Sequence, residues 1–319
     1  MRDYDSRCRK GDSFDPDESA EYTRGCRDHQ GRRRHRPDQH ALPAHMKRLG
    51  FVGAGRMGLP MVRRLVAGGH EVRVLGRSPE RRRALSDEGA LVSRGIEEVA
   101  DGADAVLVCV YTDEQVREVC LGSPLLEVLP NGAVVVVHTT GSPRTVEAVA
   151  ARAAAGGIQV VDAPVSGGPH DIAAGRLSVF VGGDEDTVAR LRPVLGRYAD
   201  PVLHVGPLGA GQRVKLVNNA LFAAHLGLLS DAARLGRQLG VDEAILLDAL
   251  PHGSAASRAL TGVAARGSVA RFAEAVREFV DKDVDVVRQV AAELGTGLGA
   301  LAPAIGSLNR GDSGPADGG

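Results

Sequence analysis

The sequence lacks the features that mark secreted, membrane-spanning and nucleic-acid-binding proteins. It has four cysteines and no CxxC pair, so we expect no disulfide, no structural zinc and no other bound metal. No apolar run approaches the roughly 18 residues of a membrane span, and the N-terminus lacks the apolar core of a secretory signal. The formal net charge of -1 gives no electrostatic reason to expect nucleic acid or a membrane surface as partner. A cytoplasmic location is the default expectation.

Both ends of the chain are poor in aliphatic residues. Residues 1–45 consist largely of Arg, Asp, Gly and His, and such a stretch cannot bury enough apolar surface to offset the entropy lost on ordering. We expect disorder there and again over residues 311–319. The histidines of the first stretch have no fold to hold them around a metal, and Met46 is a candidate natural start.

A strand, a glycine-rich turn, a helix and a second strand occupy residues 49–78. The turn, residues 53–58 (GAGRMG), follows an apolar run and opens a helix-period pattern, which is the context that dinucleotide binding requires. Gly53 permits a tight turn, Gly55 lets a pyrophosphate approach the backbone, and Gly58 lets the helix pack close to the strand. The helix N-terminus offers N–H groups to the phosphates. The turn therefore predicts a dinucleotide site, to which Arg56 and Met57 also belong.

The end of the second strand indicates which dinucleotide is bound. Arg77 and Ser78 occupy the position where NAD-specific folds usually place an acid for the ribose 2′-hydroxyl. Arg77 can instead pair with a 2′-phosphate through its planar guanidinium, and Ser78 can donate a further hydrogen bond. The sequence therefore favours NADP over NAD, although a solvated arginine in a turn would give the same pattern.

Segments with strand and helix patterns alternate up to about residue 205. This alternation is typical of a doubly wound, mostly parallel α/β sheet, and predicts a Rossmann-type NADP-binding domain over residues 46–207. From Gly209 onward the pattern is helical only. A long helix is predicted from about 209 to 239, with further helices near 242–250, 270–294 and 298–309. We expect residues 208–310 to form an all-helical domain joined through the long helix.

A polar loop after one predicted strand is the first candidate for chemistry. Residues 162–168 (DAPVSGG) lie at the carboxyl edge of the sheet, where open α/β folds bind ligands. Ser166 and the N–H groups of Gly167 and Gly168 could hold a substrate carboxylate. A plain turn is an equally good interpretation of this loop taken alone.

Two lysine-containing segments are the other candidates. Lys215 and Asn219 lie four residues apart, so they share one helix face. A desolvated Lys215 beside a cationic ring can have its pKa lowered toward neutrality, as a general acid or base requires, but a solvated helix lysine is commoner. Lys282, taken alone, fits a solvated ion-pair cluster better than a site.

Together these motifs resemble a known family. Five motifs occur in the order and spacing typical of the β-hydroxyacid dehydrogenases, the 3-hydroxyisobutyrate dehydrogenase-like group. They are GFVGAGRMGLPM, HTTGSP, DAPVSGGPHDIAAGRLSVFVGG, GAGQRVKLVNN and KDVDVV. The resemblance covers about residues 48–305. It implies a Rossmann-type domain and a helical C-terminal domain like that of 6-phosphogluconate dehydrogenase. It also implies a homodimer or homotetramer.

The resemblance implies roles for single residues. Lys215 looks like the catalytic lysine, which protonates a carbonyl oxygen as hydride arrives from NADPH, or removes the hydroxyl proton in the reverse sense. Asn219 and the Ser166-Gly167-Gly168 loop would hold and orient the substrate carboxylate. The nicotinamide side would be lined by Thr140 and Lys282, with Val110 and Tyr111 close to the cofactor.

Departures from the family's pattern bear on the substrate. Members commonly carry small residues after the SGG, whereas this chain has Pro-His-Asp-Ile, so His170 and Asp171 are candidate substrate-binding residues. Tyr111 and Thr112 replace the Leu-Pro usually found after the fourth strand, and the closing aromatic helix typical of the family is missing. We therefore expect a substrate other than hydroxyisobutyrate.

The sequence thus predicts an NADP-preferring oxidoreductase. It would transfer hydride between nicotinamide and a small β-hydroxyacid or its semialdehyde or keto form, with Lys215 as general acid and base. Imine reductases share the fold and the NADP loop, but they generally carry Asp or Tyr in place of the lysine. A non-catalytic NADP-binding module is the alternative from a different class.

Overall fold

A computed structural model describes residues 46–308 of the chain. The segments predicted to be disordered, residues 1–45 and 311–319, lie outside the described residues. No helix within the described range is long and apolar enough to cross a membrane.

One mixed sheet forms the N-terminal part of the fold. Its strands lie in the order β3-β2-β1-β4-β5-β6-β8-β7, and β9 pairs with β8. Strands β1 to β6 are parallel to one another, whereas β8 runs antiparallel to β6 and β7. This order confirms the predicted doubly wound, Rossmann-type sheet. The strands are β1 Arg48–Val52, β2 Glu71–Leu75, β3 Leu91–Ser93, β4 Ala105–Val108, β5 Val134–Val137, β6 Gln159–Asp162, β7 Val165–Ser166, β8 Leu177–Gly182 and β9 Ala199–Gly206.

Helices cover both faces of this sheet and make up the C-terminal part. Several begin at the caps that the sequence shows, such as the Thr112 capping box and the Ser-Pro starts at Ser78 and Ser142. The helices are α1 Gly58–Ala67, α2 Pro79–Asp87, α3 Ile96–Ala100, α4 Asp113–Leu121, α5 Leu125–Val128, α6 Pro143–Ala153, α7 Pro169–Ala173, α8 Glu185–Leu195, α9 Ala210–Gln238, α10 Glu243–Ala249, α11 Arg258–Arg266, α12 Val269–Glu293 and α13 Leu301–Ser307.

The sheet is buried on both faces. All residues of β4 and β5 are buried, because one apolar cluster packs under each face, as parallel sheets require. A third cluster joins α9 to α11, α12 and α13. Four helices were not predicted from the sequence, namely α3, α5, α7 and α11. Each has nine residues or fewer, and short helices display their period only weakly.

The long helix α9 connects the sheet to the C-terminal helices. Its 29 residues pack against β8 and β9 at the N-terminal end and against α12 and α13 further along. Gly211 makes the first of these contacts possible, because a Cβ there would lie 2.5 Å from the Phe180 carbonyl oxygen. The helix therefore starts at the carboxyl edge of the sheet, where the candidate site lies.

Candidate active site

The glycine-rich turn between β1 and α1 has the geometry of a dinucleotide-binding turn. Gly53 has φ +98°, and a Cβ there would lie 2.2 Å from the Cys109 carbonyl oxygen. A Cβ on Gly58 would lie 2.3 Å from the Gly53 carbonyl oxygen. A Cβ on Gly55, by contrast, would meet nothing within 4 Å. Packing thus requires glycine at two positions, and the third faces open space of the kind a pyrophosphate can fill.

The open space beside this turn is a cleft of about 330 Å³. Arg77 and Ser78 both line the cleft, and Arg81 lies beside them in the first turn of α2. Ser78 caps that helix, because its Oγ accepts a hydrogen bond from the Arg81 N–H over 3.2 Å. The Arg81 guanidinium donates to the Ala54 carbonyl oxygen. The residues present therefore fit a dinucleotide with a negative group at the Arg77 end. Arg81 is a further basic residue there that the sequence pattern did not indicate.

The loops after β4 and β5 form the next wall of the site. The Thr139 hydroxyl donates to the Val110 carbonyl oxygen over 2.9 Å, which ties the two loops together. The Tyr111 N–H donates to the Gln115 Oε1 over 2.8 Å within the α4 capping box. Thr140, predicted on the nicotinamide side, and Val110 and Tyr111, predicted close to the cofactor, therefore follow adjacent strands at the carboxyl edge of the sheet.

Helix α12 reaches across to these loops through a series of ring and cation contacts. The Arg56 guanidinium carbon lies 5.2 Å from the ring centroid of Phe279. The Phe279 ring packs edge-on against Tyr111, with centroids 6.2 Å apart, and the Lys282 Nζ lies 5.4 Å from the centroid of Tyr111. The fold thus brings together Arg56, Tyr111 and Lys282, which are far apart in sequence. Phe279 was not predicted, because nothing in its own segment distinguishes it from a core residue.

A buried polar network fixes the start of α9. The Asp162 carboxylate, with no exposed surface, accepts hydrogen bonds from the Gly209 N–H over 2.6 Å and from the Gln212 N–H over 2.7 Å. The Gln212 side chain donates to the Thr139 carbonyl oxygen and accepts from the Gly141 N–H, over 2.8 and 3.0 Å. Burial raises the pKa of Asp162, and the hydrogen bonds that it accepts oppose this shift. The start of α9 is thereby locked to the ends of both β5 and β6.

Lys215 and Asn219 lie on the buried face of α9. Their exposed fractions are 8% and 7%. The pKa of Lys215 is lowered to about 8, chiefly by burial; Asp283 opposes this shift by raising the pKa, and Lys282 adds to it. The Asn219 Nδ2 donates to the Asp283 Oδ2 over 2.6 Å. Sequence spacing predicted the shared face but not Asp283, which lies next to Lys282 on α12.

Some hydrogen-bonding groups of the loop after β6 are paired within the loop itself. Ser166 lies in β7 and pairs with Ser178 of β8. The Gly168 N–H donates to the Asp171 Oδ2 over 2.8 Å, so Asp171 caps the short helix α7. The side chain of His170 is 81% exposed, and its Nε2 lies 3.3 Å from the same carboxylate oxygen. The Gly168 N–H therefore already has an acceptor within the loop. This distinguishes Gly168 from Ser166 and Gly167, the other residues predicted to bind a substrate carboxylate.

Known proteins match nearly all of the described range. A sequence model for the NAD-binding domain of 6-phosphogluconate dehydrogenase matches residues 48–206. A second, described as the NAD-binding part of NADP-dependent 3-hydroxyisobutyrate dehydrogenase, matches residues 209–314. A 3-hydroxyisobutyrate dehydrogenase from Pseudomonas aeruginosa is 34% identical over 67% of this chain and 72% of that protein.

Solved structures show the same architecture. The 3-hydroxyisobutyrate dehydrogenase of Mycobacterium tuberculosis with L-serine has 29% identity and a TM-score of 0.73, covering 83% of this chain and 93% of that one. An imine reductase from Pseudomonas sp. shares the fold with 23% identity and a TM-score of 0.55, over 82% and 98% of the two chains.

The fold, the glycine-rich turn and these matches define an NAD(P)-dependent oxidoreductase. More narrowly, the chain belongs to the β-hydroxyacid dehydrogenase family, the group similar to 3-hydroxyisobutyrate dehydrogenase.

Proposed function

We propose that the protein is an NADP-preferring oxidoreductase that interconverts a small β-hydroxyacid and its semialdehyde or keto form. The observation that carries this proposal is the environment of Lys215. Its ammonium is nearly buried, its pKa is lowered to about 8, and the helix that bears it is locked to two strand ends. A group with this pKa can give or take a proton near neutral pH, which general acid–base catalysis requires.

Residues of the chain itself carry out the proton transfer. When bound, the nicotinamide supplies or accepts the hydride. In the reductive direction the Lys215 Nζ donates a proton to the carbonyl oxygen, and in the oxidative direction the neutral amine removes the hydroxyl proton. The Asp162 and Gln212 network keeps this side chain at a fixed place relative to the loop that carries Thr140.

Substrate recognition falls to the loop after β6 and to Asn219. Ser166, Gly167 and Gly168 would shape the carboxylate subsite, and the Asn219 amide would orient the carboxylate. His170 and Asp171 would form the wall that distinguishes this substrate from hydroxyisobutyrate. The L-serine in the Mycobacterium tuberculosis structure is itself a small β-hydroxy acid, which supports the proposed substrate class.

The NADP preference is proposed from the charge at one end of the cleft. Arg77, Ser78 and Arg81 provide two guanidinium groups and a hydroxyl, and guanidinium groups pair well with phosphate. The family model for the C-terminal part is itself described as NADP-dependent. The proposed cofactor residues are Gly53, Gly55, Arg56, Met57, Gly58, Arg77, Ser78, Val110, Tyr111, Thr140 and Lys282.

A homodimer or homotetramer through the helical domain is proposed from one face of α9. Val217, Leu221, Leu228 and Leu235 recur at spacings of four, seven and seven residues, so they form one stripe. Each is at least 43% exposed in the single chain. A stripe of this kind is normally covered by another helix, and a second copy of the chain would supply one.

Turnover with a panel of substrates tests the proposal. Loss of NADPH absorbance would be followed with short semialdehydes, 2-keto acids and cyclic imines, for wild type and Lys215→Ala. Turnover of an acid-bearing carbonyl that disappears in the variant is the expected result. Turnover of imines alone would favour an imine reductase. NADPH binding without any turnover would favour a non-catalytic module.

A further inference from the structure

Asp283 lies between two residues of the proposed site. Its Oδ2 accepts from the Asn219 Nδ2 over 2.6 Å, and its Oδ1 lies 2.7 Å from the Lys282 Nζ. The side chains of Asp283 and Lys282 are only 16% and 20% exposed. A carboxylate held this closely by an amide on α9 and an ammonium on α12 connects the two helices at the site itself.

The contact with Asp283 fixes the orientation of the Asn219 amide. An ionised carboxylate only accepts hydrogen bonds, so the amide nitrogen must face it. The amide oxygen in turn accepts from the Asn218 Nδ2 over 3.1 Å. Because the nitrogen and the oxygen of the Asn219 amide each have a partner, the direction of the second N–H of this amide is fixed. A substrate group that accepts a hydrogen bond would therefore meet a donor already in place.

Asp283 is also one of the charged groups that face Lys215. Asp283 binds Asn219, which lies about one helical turn from Lys215 on the same face of α9. From α12, Asp283 thus favours the charged form of the lysine and Lys282 disfavours it. From β6, Asp162 faces the start of α9, but its oxygens accept from the Gly209 and Gln212 N–H groups. On α9 itself, Arg213 points to the surface and pairs with Glu147. The opposed pair on α12 therefore dominates the charge around Lys215.

The choice of lysine at position 215 supports a titrating role for this residue. Only four of the chain's 39 basic residues are lysines, and two of them, Lys215 and Lys282, lie here. Arginine stays protonated in proteins, whereas a buried lysine changes its charge readily. A site built to hold and release a proton needs lysine, and a site built only to hold a positive charge does not.

We propose that Asp283 is a positioning residue, which orients the Asn219 amide and keeps a proton on Lys215 against the opposing charge of Lys282. This inference rests on the proposed function of Lys215. Asp283 itself need not touch the substrate, because it acts through the two α9 side chains.

The pH dependence of kcat/KM tests the effect on Lys215. In the reductive direction with saturating NADPH, activity falls as pH rises through the pKa of Lys215. Asp283→Asn removes the negative charge, so this fall should move to lower pH by on the order of one unit. Lys282→Met removes the positive charge and should move it to higher pH. Asp285→Asn is the matched control, since Asp285 is 74% exposed and pairs with Arg288 on the surface.

A measurement without turnover checks the same shift. With so few lysines, NMR of the protein labelled at the lysine Cε can follow the titration of Lys215, assigned by its loss in Lys215→Met. Opposite shifts in Asp283→Asn and Lys282→Met are expected. Unchanged titration in both variants would overturn the role of Asp283 in the charge of Lys215, even if Lys215 proves essential for turnover. A wild type without Lys215-dependent turnover would instead overturn the proposed function.

A pair of substitutions separates orientation from charge. Asn at position 283 can still accept from the Asn219 amide, whereas Asp283→Ala leaves that amide free to turn. The expected result is a KM for the substrate several-fold higher in Asp283→Ala than in Asp283→Asn, with equal NADPH affinity. Equal KM values in the two variants would show that the amide does not depend on Asp283 for its orientation.

Discussion

Single residues in this site gain their properties from how little water reaches them. An exposed lysine keeps its ordinary pKa, but Lys215 is 8% exposed and its pKa falls to about 8. The same burial makes the charges of Lys282 and Asp283 effective, because they act through protein and not through bulk water. The chemistry of the site is therefore set by the packing of α9 on the sheet and on α12.

The proposed NADP preference depends on Arg77. Arg77→Ala should weaken NADPH binding by on the order of 1.5–3 kcal/mol, hence tenfold or more, because a charge-assisted contact to phosphate is lost. NADH binding should change little. Fluorescence titration with both cofactors measures this. Arg83→Ala is the control, since Arg83 is an exposed arginine on α2, the helix that follows Arg77. Equal weakening for both cofactors would mean that Arg77 only supports the turn.

At the scale of elements, the glycine-rich turn combines two different requirements. Gly58→Ala places a Cβ 2.3 Å from the Gly53 carbonyl oxygen and 2.8 Å from the Phe51 ring, so it should lower the free energy of unfolding by about 1–3 kcal/mol. Gly55→Ala extends into open space. It should leave stability nearly unchanged and weaken NADPH binding.

Denaturant unfolding and NADPH titration of both variants distinguish these requirements. The expected pattern is a stable Gly55→Ala that binds NADPH poorly, and a destabilised Gly58→Ala. A Gly55→Ala variant that binds NADPH as tightly as wild type would contradict the placement of the phosphates at this turn.

Elements that display a long period or a strong cap could be predicted from the sequence. Helix α9 spans Ala210–Gln238 against a predicted 209–239, and α2 and α8 begin where Pro79 and Glu185 indicate. The shared face of Lys215 and Asn219 followed from their spacing. Asp283 and Phe279 could not be found this way, because their partners lie on other elements and only the tertiary fold brings them together. The capping role of Asp171 depends on the backbone path of the loop, which spacing does not fix.

For the whole molecule, the apolar stripe on α9 predicts that copies of the chain associate with one another. Leu228→Glu would place a charge in the stripe, where Leu228 is 54% exposed in the single chain. Light scattering should show a smaller assembly for this variant than for wild type. Leu91→Glu is the control, because Leu91 is similarly exposed but lies on β3, away from the helical part. A monomeric wild type, or equal effects of both substitutions, would contradict assembly through α9.

The proposed function depends on Lys215 as the proton donor and acceptor, and one paired measurement tests this role most directly. NADPH affinity by fluorescence and the single-turnover rate of NADPH oxidation would be measured for wild type and Lys215→Met, which suits the buried position. Unchanged NADPH affinity and a rate reduced by about a hundredfold or more are expected for Lys215→Met. A folded variant that binds NADPH and reacts within a few-fold of the wild-type rate would contradict this role.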